Sequence, residues 1–293
     1  MLAVLVGLLL TGCASPPTAP TPPPEPAIGK RAPILGLALG GGAARGFAHV
    51  GVIQVLEEAG IKPDLVVGTS AGSLVAAIYA SGKNGVQLEQ VALAMDEAAI
   101  TDWTLPLFGR GVLRGEALAR YVQGQVGGKL IESMALPLGI VATDLHTGQG
   151  ILFRRGDAGI AVRASSAVPA VFQPVKINGQ EYVDGGLVSP VPVRYARQMG
   201  AELVIAVDIS ATPESNPASD TMQVLLQTFA IMGKSINNYE LKDAELVVRP
   251  VLAGQKSADF SAKRQSIEAG RAAMQAALPQ LRTLMEKLRK EVR

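Results

Sequence analysis

Residues 68–72 read Gly-Thr-Ser-Ala-Gly. A serine with glycine two positions away on either side is the spelling of a nucleophile elbow, a sharp strand-to-helix turn that holds a hydroxyl out at its tip. Such a hydroxyl attacks carbonyl carbon only when a base takes its proton, and the usual base is histidine. The chain has two histidines, His49 and His146. A hydrolase triad in the chain order serine, acid, histidine needs its imidazole last, yet His49 precedes Ser70 and His146 precedes the best acidic candidate, Asp184. A conventional triad therefore fails on order, and a carboxylate acting directly on Ser70 remains. Asp184 opens the tripeptide Asp184-Gly185-Gly186, whose glycines let the backbone bring a carboxyl close to another loop. The same tripeptide is also the composition of an ordinary tight turn.

A second glycine cluster lies upstream, in "LGLALGGGAARGFAHVG". Gly40, Gly41 and Gly42, followed by Arg45, stand between an apolar run and a helical one, where main-chain N–H groups are left uncovered. Such a nest binds an anion, either a phosphate or an oxyanion that exists only in a transition state. The phosphate alternative is a dinucleotide fold with a G-x-G-x-x-G turn and an acid about 20 residues on. Asp64 falls near that position, but Ala43 occupies the second glycine of the register ending at Gly46, and Ser70 would be left without a role. An oxyanion hole beside a nucleophile accounts for both segments.

The elements that would position these groups follow from the apolar runs. "ILGLALG", "DLVVGTS", "LPLGIVATDL" and "AELVIAVDIS" lack polar alternation and read as strands buried on both faces. "AARGFAHVGVIQVLEEAG" and "AGSLVAAIYASG" read as helices. Buried strands alternating with helices predict a mostly parallel sheet covered on both sides, an α/β domain spanning residues 34–293. Gly68 and Gly72 would relieve crowding around the turn at Ser70. The C-terminal stretch places Leu278, Leu281, Leu284, Met285 and Leu288 at helical spacing, opposed by Arg282, Lys287, Arg289, Lys290 and Arg293. This amphipathic helix can dock on the domain or lie on an anionic membrane, and docking is the expectation.

The 293 residues, 48% apolar and 18% charged, suffice for a sizeable core. A net charge of +2 gives no concentrated basic face for nucleic acid. The one cysteine, Cys13, excludes an internal disulfide and a cysteine-built metal site. It ends the run "LTGC" after a short apolar stretch, residues 2–10, too short to span a bilayer but suited to a signal peptide. The expectation is a leader with a lipobox over residues 1–13, lipidation at Cys13, and a proline-rich spacer over residues 14–33. Ala14 after the cysteine resembles an outer-membrane address, so the body would face the periplasm from a lipid anchor.

Taken together, "GGGAARGFAHVGV", "GTSAGSLVAAIYA", "ATDLHTGQGILFRRGD" with "AVRASSAVPAVFQPV", and "YVDGGLVSPVPV" resemble the patatin-like phospholipases, in particular the bacterial branch related to neuropathy target esterase. The resemblance implies a three-layer α/β/α fold and a Ser–Asp dyad at Ser70 and Asp184. It implies an oxyanion loop over residues 40–45 that includes Arg45, and a serine esterase acting on membrane lipids without metal or cofactor. Many members carry glycine where Ala43 stands. Two other readings stay open at this stage: a catalytically silent lipoprotein using the fold to bind lipid or protein, and a nucleotide-binding enzyme. Residues 103–108 ("WTLPLF") and 221–239 are the segments that could cover the site or touch lipid.

Overall fold

The computed structural model describes residues 30–103, 110–211, 219–252, 254 and 259–291. The expected leader, Cys13 and most of the spacer lie outside the described residues. Lys30 and Arg31, at the end of the stretch read as a spacer, pair antiparallel with residues 290–291.

Eight strands form the central sheet: β1 (Leu35–Leu39), β2 (Leu65–Thr69), β3 (Leu138–Asp144), β4 (Gly150–Phe153), β5 (Val175–Ile177), β6 (Gln180–Asp184), β7 (Leu203–Val207) and β8 (Leu246–Val248). The order β8-β7-β1-β2-β3 is parallel throughout, as the unbroken apolar runs predict, and the antiparallel strands β4, β6 and β5 complete the β3 end. β1, β2, β3 and β7 are buried along their whole lengths. Alternate residues point to opposite layers. Leu35, Leu37 and Leu39 join the larger core with helices α1 (Ala48–Glu58), α2 (Ala71–Ala80) and α8 (Lys263–Lys287). Ala38, Val67, Val141 and Ala206 face a thinner layer that includes Tyr195 and Ala196 of α6 (Val193–Gln198). The sheet is thus covered by helices on both sides, one layer thick and the other thin.

The C-terminal helix docks rather than facing outward. Ile267, Met274 and Leu281 of α8 are fully buried, and Leu278, Leu284, Met285 and Leu288 pack against the same core. Its contact with α1 is a backbone-to-backbone crossing. A Cβ on Gly270 would lie 1.9 Å from the carbonyl oxygen of Ala48, and one on Gly51 would lie 2.0 Å from that of Ile267. Neither obstruction is a side chain that can swing aside, so the helices must separate to admit a methyl. Overpacking of this kind costs about 1–3 kcal/mol or more. Gly270→Ala is therefore expected to lower the urea midpoint of unfolding clearly, whereas Ala at exposed Gly124, which has nothing within 4 Å, should leave it unchanged or raise it.

Candidate active site

The registers of three strands bring Ser70 and Asp184 together. β2 pairs with β3 up to Thr69 opposite Val141. β4 pairs with Ile140 to Thr143 of β3, overlapping both of β3's other partners, so it occupies the opposite edge. β6, which pairs Asp184 with Ala142, must then share the edge used by β2. The two strands run toward each other along one side of β3 and stop at consecutive residues. A chain separation of more than a hundred positions closes to a 2.7 Å hydrogen bond from the Ser70 hydroxyl to Asp184 Oδ2.

Where strands meet end to end their ladder lapses, and the turn after α5 (Ala158–Ser165) fills the gap. Ser165, fully buried, accepts the Ser70 N–H at 2.8 Å and donates its own proton to the Val141 carbonyl at 2.5 Å. Two residues on, the Ala167 carbonyl accepts the Asp184 N–H at 2.9 Å. One short segment thus holds both residues of the pair. Thr143 donates to the Asp184 carbonyl, and Thr69 donates to that of Ser189, which fixes the loop beyond Asp184. The role of Ser165 was not read from the sequence, although it lies within "AVRASSAVPAVFQPV"; nothing local distinguishes its hydroxyl from that of Ser166.

Ser70 itself sits at φ 52°, ψ −125°, between β2 and the first turn of α2. For a residue with a side chain this backbone is strained, at a typical cost of about 1–3 kcal/mol. The surroundings enforce it. Gly68 lies so close to the start of α2 that a Cβ there would meet the Gly72 carbonyl oxygen at 2.4 Å, and a Cβ on Gly72 would meet the Leu39 carbonyl oxygen at 2.1 Å. The elbow expected from residues 68–72 is thus a crowded turn with the serine side chain projecting and the unpaired N–H end of α2 behind it.

The glycine loop differs in detail from the expectation. The N–H of Gly40 donates to Val207 and that of Gly41 to Pro190, at 3.0 and 2.9 Å, so these two are engaged with neighbouring carbonyls. Among the described residues, Gly42 and Ala43 have no main-chain partner for their N–H groups. The free donors are therefore those at the start of the short 3₁₀ turn 43–47, one position later than the glycine run alone indicates. Ala43 takes φ 49° there, a left-handed position where glycine would sit without strain, and it lines the same cavity as Ser70. Arg45 is buried, and its Nε–H donates to the Gly42 carbonyl at 3.3 Å, bracing the loop. Burial lowers its pKa to about 10, partly offset by the charge of Asp208, so it stays cationic at neutral pH.

Neither histidine is near the serine's proton. His49 is wholly buried on α1 and its Nε2 lies 2.8 Å from the Gly40 carbonyl. An acceptor there requires Nε2 to carry the hydrogen, and burial drives the ring's pKa down to about 4, so His49 is a neutral donor fixing the loop. His146 sits exposed in the turn after β3, its N–H on Asp144 Oδ1. Asp64 accepts the Leu35 N–H at 2.6 Å at the start of β1. That is the amino end of the parallel strands, whereas the glycine loop stands at their carboxyl end, so Asp64 cannot serve a ribose bound at the loop and the dinucleotide reading loses its acid.

Asp184 is the electrostatic centre of this arrangement. Burial disfavours its charged form and raises its pKa from 3.8 to about 6, against the opposing pull of the Ser70 hydroxyl and of the Gly186 N–H, 2.6 Å from Oδ1. Gly185 and Gly186 form the turn beneath it, with Gly185 packed against the Val141 carbonyl. Beside the pair opens a cavity of about 340 Å³ lined by Ser70 and Ala43 at one end and by aliphatic side chains such as Leu74, Ile78, Leu88, Val91 and Met95 beyond. No group of three potential metal ligands occurs among the described residues.

The raised pKa has a consequence for stability. Between about pH 4 and 6 the native carboxyl retains a proton that the unfolded chain has shed, so stability falls as pH rises through that window. Above pH 6 the folded protein carries the buried charge at a cost of about 3 kcal/mol. Asp184→Asn removes that charge while keeping the shape. It is expected to melt several degrees above the parent at pH 8, with the gap closing as the pH is lowered to about 4, as followed by circular dichroism.

Known proteins similar to this chain point to one family. The family described as "Patatin-like phospholipase" matches residues 37–197. An uncharacterised NTE family protein of Mycobacterium tuberculosis is 36% identical over 193 residues, covering 66% of this chain and 53% of that protein. Patatin-like phospholipase domain-containing protein 6 of Mus musculus is 34% identical over 190 residues, covering 62% of this chain and 14% of its own length. The chain spans about half the length of the mycobacterial relative. Among solved structures, VipD from Legionella pneumophila superimposes with a TM-score of 0.56 at 14% identity, over 84% of this chain and 66% of that one, which is a likeness of fold. With the family match covering both strand ends and the glycine loop, the chain belongs to the patatin-like phospholipase family.

Proposed function

We propose that the protein is a serine acyl hydrolase that cleaves carboxylic esters of lipids by two-step acyl transfer, with Ser70 as nucleophile and Asp184 as general base. The observation that carries this reading is the 2.7 Å hydrogen bond between the two side chains, with Ser70 lining an aliphatic cavity. Family membership supports it.

In the proposed reaction an acyl chain lies in the cavity and presents its ester carbonyl to Ser70 Oγ. Asp184, ionised above pH 6, takes the hydroxyl proton as the oxygen attacks. Its raised pKa makes it a stronger base than an ordinary carboxylate. The free N–H groups of Gly42 and Ala43 would donate to the oxyanion, each good donor contributing about 3 kcal/mol. The proton returns to the leaving alcohol, and a water deprotonated by Asp184 then releases the fatty acid. Ser165 acts on the chemistry through the Ser70 main chain, as a positioning residue. No step calls for a metal or cofactor. The lipobox spelled by residues 10–13 supports placing this activity at the cell envelope, on a lipid anchor at Cys13.

Assays with p-nitrophenyl esters and phospholipids test the reading. Ser70→Ala and Asp184→Asn should each lose at least about a thousandfold in kcat while remaining folded, and Ser70→Ala should no longer label with a fluorophosphonate. A folded wild type that neither labels nor turns over any ester would instead be the silent binding module. For the active enzyme, kcat/KM should rise with pH through an apparent pKa near 6 and stay flat above it.

Lengthening the acyl group from butyrate to octanoate adds four methylenes, about 3 kcal/mol at ~0.8 kcal/mol each. The expected gain in kcat/KM is on the order of a hundredfold, and no gain would argue against the cavity as the acyl site. Ser165→Ala should lower kcat by about ten- to a hundredfold, leaving KM and the apparent pKa of Asp184 in place.

A further inference from the structure

Helix α7 (Thr221–Glu240) is apolar on more than one face yet uncovered. From Thr221 to Gly233 it carries no charged residue. Met222, Val224, Leu226, Ile231 and Met232 are all exposed, Val224 and Ile231 by more than half. A cluster of exposed apolar side chains of this kind marks a surface that meets another protein or a membrane. The buried residues of this one, Gly233, Asn237 and Glu240, fall in its later turns. There Glu240 accepts from Ser189, and Asn237 donates to Ser210. The far end is fastened to the domain while the first three turns present side chains outward.

The placement of this surface identifies what it meets. Leu226 lines the same cavity as Ser70. Trp103, 75% exposed, bridges to Leu113, another residue lining that cavity. The cavity lies at the carboxyl ends of the parallel strands, where β1 and β2 deliver the glycine loop and Ser70. Leu226 thus faces the cavity, while Val224 and Ile231, two and five positions away, lie on the opposite, exposed side of the helix. Among the described residues no helix is long and apolar enough to cross a membrane.

We infer that the first three turns of α7, together with Trp103, form a docking surface that seats the protein on the acyl boundary of a lipid bilayer beside the cavity that Ser70 lines. The inference rests on the lipid-ester reading of the cavity. Val224 and Ile231, seven residues apart, stand on one stripe of the helix and enter the lipid. The contact is driven by apolar area, because this segment offers no basic cluster for anionic headgroups, and it persists in high salt.

Trp103 is the one tryptophan of the chain, so its emission reports contact at this surface whether or not the N-terminus is anchored. The full chain, in a Ser70→Ala background, is titrated with phosphatidylcholine vesicles with and without brominated acyl chains at low and high salt. The emission is expected to shift to shorter wavelength and to be quenched by bromine at both salt concentrations. V224E/I231E, with an unchanged melting temperature, should need at least tenfold more lipid for the same response.

In the Ser70 background the same pair of substitutions should leave hydrolysis of soluble p-nitrophenyl butyrate within twofold, since neither residue lines the cavity. Emission that ignores vesicles, or a variant that responds as the parent does, overturns the inference. So does a shift that depends on protein concentration without lipid, which assigns the surface to a second copy of the chain. If butyrate is not hydrolysed while Trp103 still responds to lipid and V224E/I231E weakens that response, the catalytic reading fails and the docking surface stands.

Discussion

Two strands that stop at consecutive residues of a third are the constraint on which this molecule is arranged. β2 ends opposite Val141 and β6 ends opposite Ala142. Because they approach along the same edge, neither can be extended or shifted by a residue without running into the other. In a sheet a one-residue slip also turns every side chain to the wrong face. Register, normally a matter of core packing, therefore sets the distance between a hydroxyl and a carboxylate. The cores on both faces of β3, with Ile140 on one side and Val141 on the other, hold that register.

The price of such a junction is a set of main-chain groups that the ladder no longer satisfies. An unpaired buried N–H costs about 1–3 kcal/mol, so the Ser165 hydroxyl and the Ala167 carbonyl matter structurally before any chemistry is considered. The same logic explains His49. Its imidazole is spent on the Gly40 carbonyl, which keeps the glycine loop pressed beside the elbow. The strain at Ser70 and at Ala43 persists because rigid backbone on all sides leaves no room to relax.

Much of this was legible in the sequence, and for identifiable reasons. Apolar runs without alternation specify a parallel sheet, and the spacing of glycines around Ser70 and after Asp184 reports close approaches that only a missing side chain permits. The order of the two histidines excluded an imidazole base by arithmetic. The illegible features are those whose partner is distant and chemically ordinary. That Gly40 and Gly41 donate to Val207 and Pro190 depends on how loops fold over the carboxyl ends of the central strands, which no local pattern records. Ser165 is one hydroxyl among several. The C-terminal helix was readable as amphipathic, but the glycine contact that docks it on α1 joins positions more than two hundred residues apart.

Direct pairing of serine with a carboxylate places opposite demands on burial. A solvated aspartate with a pKa near 4 is too weak a base to take a serine proton efficiently, and a fully desolvated one would hold its own proton at neutral pH. Asp184 falls between these limits. The surrounding apolar residues raise its pKa, and hydrogen bonds from Ser70 and the Gly186 N–H stop the rise at about 6. Removing either donor would push the carboxyl toward its protonated form, and wetting the site would return it to ordinary acidity.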